Sequence, residues 1–171
     1  EGASLQAGMN FGLGKSHSVI LMSVRPNAPY RDRLEDGGTT LVYEGHDVKR
    51  SLQMPDPKVL DQPRAEPNGK PTQNGQFADA VDRAKNGAAD YPIFRVYEKM
   101  RAGIWTDRGL YVLRDYDYVA AGMRHVFKFW LEQAPFDSSG LHETPLTDLP
   151  TTRQIPSRVK QEVFKRDRGQ C

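Results

Sequence analysis

Cysteine is almost missing from this chain. Among 171 residues only the last, Cys171, carries a thiol, so no internal disulfide can form and the stapled scaffold of a small secreted domain is excluded. No apolar run approaches the length of a membrane span, and no basic-then-apolar leader opens the sequence. The expectation is a soluble protein of a reducing, cytoplasmic compartment. An excess of one charge is missing too: the net value is only +2, and composition alone does not announce a nucleic-acid binder. Histidine is scarce. His17, His125 and His142 share no ligand spacing and carry no assigned chemistry, and His46 beside Asp47 reads better as a loop-closing hydrogen bond than as a metal or acid–base site.

What is present suffices for one core. Apolar residues make up 37% of the chain and charged residues 27%, which argues for one folded domain and against disorder. The charge is uneven. Between Arg153 and Cys171 the basic residues Arg153, Arg158, Lys160, Lys165, Arg166 and Arg168 outweigh Glu162 and Asp167 by four. The main domain therefore carries about −2 in sum, and any affinity it has for DNA must come from local clusters. Residues 1–8 show no periodic pattern and are read as a non-native remnant or a disordered lead.

Residues 17–24 (HSVILMSV) and 39–43 (TTLVY) read as strands. Between His46 and Asn74 the prolines at 55, 57, 63, 67 and 71 preclude helix and central strand alike. Residues 76–86 place Phe77, Ala80, Val81 and Ala84 on one helical face and stop at Gly87. Three further strand-like runs, 93–99, 110–118 and 125–131, are set apart by Gly103, Gly109 and Gly122. Within this stretch Trp105, Tyr111, Phe127, Phe129 and Trp130 read as core. The fold class expected is α+β, mainly β: a curved antiparallel sheet or small barrel of PUA/SRA-like kind, with one or two flanking helices and a C-terminal helical extension. The domain is expected over residues 9–133 and a Pro/Ser/Gly linker over 134–156. Residues 157–171 form a second, basic segment, with Ser157 opening a helix.

Three stretches, in this order, resemble one known family: "APYRDRLEDGGTTLVYEGHD", "DQPRAEPNGKPTQNGQF" and "RVYEKMRAGIWTDRGLYVLRDYDY". They are similar to the SRA (SET- and RING-associated, also called YDG) domain over about residues 11–131. The family's Tyr-Asp-Gly stands here as Asp107-Arg108-Gly109 before Leu110-Tyr111, and the N-terminal strand region is short. The tail "IPSRVKQEVFKRDRGQC" looks like the opening of an HNH nuclease domain. Together these resemble a bacterial modification-dependent restriction endonuclease of SRA-HNH type, ending where its nuclease begins. The resemblance implies that double-stranded DNA containing modified cytosine is the partner. It also implies a longer parent in which an HNH domain, with zinc and a divalent metal, hydrolyses DNA, and in which a homodimer is an option. Cys171 would be a zinc ligand only in that parent. This stretch by itself is expected to need no cofactor and to leave DNA uncut, because a lone cysteine cannot complete a four-ligand site.

On that resemblance, 5-methylcytosine, with 5-hydroxymethylcytosine as a second candidate, is flipped from the duplex into an aromatic pocket. Extraction costs a few kcal/mol, and stacking at about 1–3 kcal/mol per base is of the size needed to offset it. Tyr30 and Tyr43 would supply the stacking. An ionised carboxylate accepts from the cytosine N4 amino group and repels the oxygen that thymine presents there. Asp32, two residues past Tyr30, aims the same way in an extended backbone. An ungapped register instead puts Arg33 at the acidic position, and Glu44, next to Tyr43, is the weaker candidate. Gly45 would let neighbouring amides approach the base edge. Arg25, Lys49, Arg50, Lys70, Thr72, Gln73 and Asn74 are the expected backbone or gap-filling contacts. Two other readings remain open: a PUA-like RNA-binding module, and an independent metal-dependent hydrolase using Asp32, Glu44, His46 and Asp47.

Overall fold

A computed structural model of the chain describes residues 8–13, 17–52 and 54–134; the expected linker and second basic segment, with Cys171, lie outside them. The described residues form one seven-stranded sheet in the order β1-β2-β5-β6-β7-β4-β3. The strands are β1 Met9–Leu13, β2 His17–Met22, β3 Arg33–Glu35, β4 Thr40–Glu44, β5 Ile93–Arg101, β6 Ile104–Ala121 and β7 Arg124–Gln133. One α-helix, α1 Gln73–Lys85, lies between β4 and β5 in sequence. Among the described residues no helix is long and apolar enough to cross a membrane.

The mainly β expectation holds, with one change of direction. All neighbouring strands pair antiparallel except β2 and β5, which run parallel. A parallel pair needs a long crossover rather than a hairpin, and residues 23–92, which include α1, supply it. Gly109 is not a break between strands. It lies inside the 18-residue β6 at φ +88°, where the register slips from Val96↔Gly109 to Tyr97↔Asp107. The extra residue, Arg108, makes a bulge, and a bulge bends its strand. A second slip, between Leu113 and Asp115 opposite β7, bends β6 again. β1 and β3, short and partly polar, have no counterpart among the strands expected from sequence.

α1 begins three residues earlier than its apolar face suggests. Thr72 is its N-cap, the Oγ1 accepting from the Gly75 N–H at 3.2 Å, the bond that satisfies one of the orphan donors of a first turn. Phe77, Ala78, Val81 and Ala84 are buried against the sheet. The Phe77 ring sits 4.5 Å from Phe94 and 5.2 Å, edge-on, from Phe129, the offset geometry that aromatic pairs prefer. Outside the helix, Arg64 bonds Asp79 and Asp82 at 2.7 Å each and Tyr116 Oη at 3.1 Å, tying the Pro-rich loop to helix and sheet. Of the aromatic residues expected in the core, Tyr111, Phe127 and Phe129 are there, whereas Trp105 is 42% exposed near the β5–β6 turn, with the Lys99 ammonium over its ring.

Candidate nucleic-acid interface

Asp32 stands at the ends of β2 and β4, and Tyr30 lies two residues before it in the loop that leads there. The Asp32 carboxylate bridges those ends: Oδ1 accepts from the Glu44 N–H and Oδ2 from the Ser23 N–H, each at 3.1 Å. Burial pushes its pKa up to about 6, against the lowering by those two N–H groups; desolvation disfavours the charged form more than two neutral donors favour it. Tyr30 is half-buried and lies in no strand. Lys58 Nζ stands 4.1 Å above its ring, within cation–π range, and also donates to Pro29 O and to Asp47 Oδ2, both at 2.6 Å. Burial, with Asp47 adding to it, raises the Tyr30 hydroxyl above its ordinary pKa, so the ring stays neutral.

Behind this mouth lies an ionic network. Asp47 accepts from Arg124 Nη1 at 2.6 Å and from Gln62 Nε2 at 3.1 Å. Burial opposes its charge, but the bonds from Lys58, Arg124 and Gln62 prevail and hold its carboxyl below the usual value. Glu44 accepts from Lys128 Nζ at 2.7 Å and from the Arg31 N–H at 3.2 Å. Arg124 is 8% exposed and Glu44 5%. Charges this deep are tolerated only when paired and hydrogen-bonded, and here Lys58, Arg124 and Lys128 stand against Asp32, Glu44 and Asp47. His46 closes the loop as expected: its Nε2 accepts from the Met9 N–H at 3.1 Å, and burial lowers its pKa, which keeps it neutral. Among the described residues no group of three His, Cys, Asp or Glu side chains is placed to hold a metal ion.

Several residues expected to touch the ligand have other partners. Tyr43 is 2% exposed and belongs to the core cluster. A side chain at Gly8 would come within 2.5 Å of the Tyr43 hydroxyl, so this part of the chain roofs it. Burial raises the Tyr43 hydroxyl well above its ordinary value, with Asp32, Tyr30 and Glu44 adding to the effect. The phenol oxygen is thus within electrostatic reach of the mouth while its ring faces are packed. Gly45 uses its own N–H on Phe127 O and its carbonyl on Gln62 Nε2. A Cβ there would meet Asn74 Oδ1 at 2.6 Å and Gln62 Oε1 at 2.8 Å, so the glycine admits those amides rather than a base. Asn74, 0% exposed, pairs with both backbone groups of His46, at 2.7 and 2.9 Å. Thr72 caps α1, and Gln73 Oε1 accepts from the Phe11 N–H at 2.9 Å. Each of these three side chains bonds the protein's own backbone, Asn74 from a fully buried position.

Arg25, Lys49, Arg50 and Lys70 are exposed, as phosphate contacts require. Lys58, Gln62, Arg124 and Lys128 were not legible as site residues. The one local signal was Asp56-Pro57 ahead of Lys58, where Asp56 Oδ1 caps a 3-10 turn by accepting the Lys58 N–H at 3.0 Å. A cleft of about 290 Å³ is lined by Arg31, Lys58, Ala121, Gly122 and Arg124. A larger hollow, about 490 Å³, lies across residues 61–64 against Tyr116, Tyr118 and Phe127 and is not lined by Tyr30, Asp32 or Glu44.

No protein-family model matches the chain, and a comparison with curated proteins finds no match. Solved structures do match. The SUVH5 SRA domain in complex with hemimethylated CG DNA is similar at a TM-score of 0.51 and 22% identity, over 76% of this chain and 74% of that one. The same domain with fully methylated CG DNA gives 0.52 and 21%, over 76% and 75%. Bound to fully hydroxymethylated CG DNA it gives 0.51 and 21%, over the same shares. At such identities the likeness bears on architecture, and the architecture of this chain, a mainly β sheet with one helix, is that of an SRA domain.

Proposed function

We propose that this chain recognises 5-methylcytosine, and 5-hydroxymethylcytosine by the same contacts, in duplex DNA, by accepting the flipped base at the mouth formed by Tyr30 and Asp32. The observation that carries the reading is the pairing of a half-buried aromatic face with a pinned carboxylate, on a fold whose solved relatives are SRA domains in complexes with methylated and hydroxymethylated CG DNA. Tyr30 offers one face for stacking. Asp32, held by the Ser23 and Glu44 N–H groups, has lone pairs left to accept from the N4 amino group of cytosine. With a pKa of about 6 it is mostly ionised at neutral pH and repels the oxygen of thymine. The ionic network behind it ties β4, β7 and the Lys58 loop together in the unbound chain. Exposed Arg25, Lys49, Arg50 and Lys70 hold the phosphates.

In a longer parent this recognition would deliver an HNH nuclease to modified DNA in a bacterial cell; the likeness of the tail to an HNH opening supports that reading. Titration of the chain with matched duplexes carrying cytosine, 5-methylcytosine or 5-hydroxymethylcytosine tests the proposal. Tighter binding to the modified duplexes, with no cleavage product in magnesium, manganese or zinc, is expected. Binding that prefers RNA and ignores cytosine modification overturns it.

A further inference from the structure

We propose that the turn between β6 and β7 is a wedge, with Met123 entering a base step of the duplex beside the modified cytosine. This rests on the DNA-binding reading above and adds a contact that neither stacking nor edge reading needs.

Met123 is fully exposed, at 100%. It occupies the second central position of a two-residue turn whose first is Gly122 at φ +67°, the placement of glycine that a type II′ hairpin uses. Such turns ordinarily carry polar residues, and a methionine in water contributes nothing to this fold. Its stalk is rigid. Ala121 pairs with Arg124, Ala120 with His125 and Val119 with Val126. Arg124, the residue after Met123, runs its guanidinium inward to Asp47 at 2.6 Å and Leu60 O at 3.4 Å. The His125 N–H donates to Asp61 Oδ1 at 2.5 Å. The tip is therefore fastened to the network that backs Tyr30 and Asp32.

The surroundings favour DNA over a protein partner. The cleft beside the turn is lined by Arg31, Lys58 and Arg124 together with Ala121 and Gly122. The Arg124 guanidinium is committed inward to Asp47 and Glu44, and exposed Arg31 and part-exposed Lys58 are the cations left near the tip where phosphates of an opened step would lie. Tyr118 and Val119 of the same hairpin are 45% and 37% exposed, but they lie back along β6 and the turn itself presents Met123 alone. A base step accepts a single apolar wedge, and methionine is among those used. Its unbranched, polarisable thioether adapts to either face of a base pair.

The test uses the whole chain and duplexes containing one 5-methylcytosine, with 2-aminopurine scanned through the flanking positions of both strands. Binding is expected to brighten the probe at one flanking step as that step unstacks. Met123→Ala is expected to abolish that brightening and weaken binding roughly tenfold, the scale of one buried methionine side chain, and Met123→Leu to restore both. Full exposure makes either variant neutral for folding. Brightening and affinity unchanged in Met123→Ala overturn the wedge, as does a Met123-dependent shift to dimer by sedimentation without DNA. A wild-type chain that ignores modified DNA defeats the proposed function itself, and the wedge with it.

Discussion

Tyr43 and Tyr30 stand on either side of Gly37-Gly38, equivalent to the eye in the sequence and unlike in the fold. Tyr43 belongs to β4, paired with Phe129 of β7, and is 2% exposed. Tyr30 belongs to no strand and is held by side chains: Lys58 over its ring and His46 at 6.4 Å. The strand tyrosine is committed to packing before any ligand arrives. The other is only half-buried, and on the proposed reading it keeps a face for one. The lesson is that an aromatic residue becomes available to a base when ion pairs and hydrogen bonds fix its neighbours, so that the ring itself need not be buried to be ordered.

The most severe way to break this comparison is Tyr43→Ala. Removing a large aromatic side chain from the core is expected to cost about 3–5 kcal/mol of stability, read by urea unfolding, while the molecules that stay folded keep their preference for modified DNA. Loss of preference without loss of stability would put Tyr43 on the base. Asp32→Ala follows. Loss of a charged hydrogen-bond partner is expected to weaken binding to modified duplex by about 1.5–3 kcal/mol and to erase the preference in a titration against unmodified DNA. If Arg33→Ala or Glu44→Ala does this and Asp32→Ala does not, the edge is read from that neighbour. Tyr30→Ala is expected to cost about 1–3 kcal/mol of stacking on modified DNA, with stability changed by less than about 1 kcal/mol. An equal loss on both duplexes would make the two tyrosines alike.

The raised pKa of Asp32 sharpens the contrast. Above about pH 6 the carboxylate is ionised and prefers 5-methylcytosine to thymine in an otherwise identical site. As the pH falls through 6 it gains an O–H that suits the thymine oxygen, so discrimination is expected to shrink, in binding measured from pH 7.5 to 5. Stability depends on pH in the opposite direction, because the folded chain holds this proton more tightly than the unfolded one. The contribution of Asp32 is therefore fully present below 3.8 and lost as the pH rises through about 6, by at most about 3 kcal/mol. The smallest effect is expected of Lys49→Ala, which lies outside both environments: affinity falls alike on both duplexes and the salt slope shallows by about one.

Much of this was legible from the chain alone, and the remainder failed for physical reasons. The spacing of Phe77, Ala80, Val81 and Ala84 announced α1, but Thr72-Gln73-Asn74-Gly75 looked like exposed loop because nothing local tells that Asn74 will be 0% exposed. Its partner, the His46 backbone, is 28 residues away. Gly109 read as a break since a bulge glycine and a turn glycine both need positive φ. Strand alternation sets Tyr43 and Glu44 on opposite faces of β4, yet both are buried, Tyr43 in the core and Glu44 among ion pairs, and that depends on β7 and on Gly8, both remote in sequence. The candidacy of Asp32 rested on local neighbours, Pro29 and Tyr30, whereas the ionic partners Lys58 and Arg124 left no trace in the sequence, because an ion-pair network has no sequence period.

The bond pair between Asn74 and His46 has a consequence for how the molecule breathes. By joining the first turn of α1 to the residue that follows β4 and Gly45, one side-chain amide makes helix and strand open as a single cooperative unit. The His46 amide proton, although it lies in a loop and bonds only to a side chain, is then expected to exchange with deuterated solvent as slowly as amides in the middle of α1. Asn74→Ala is expected to set it free to exchange at the rate of its loop, while the sheet amides of β6 and β7 keep their protection.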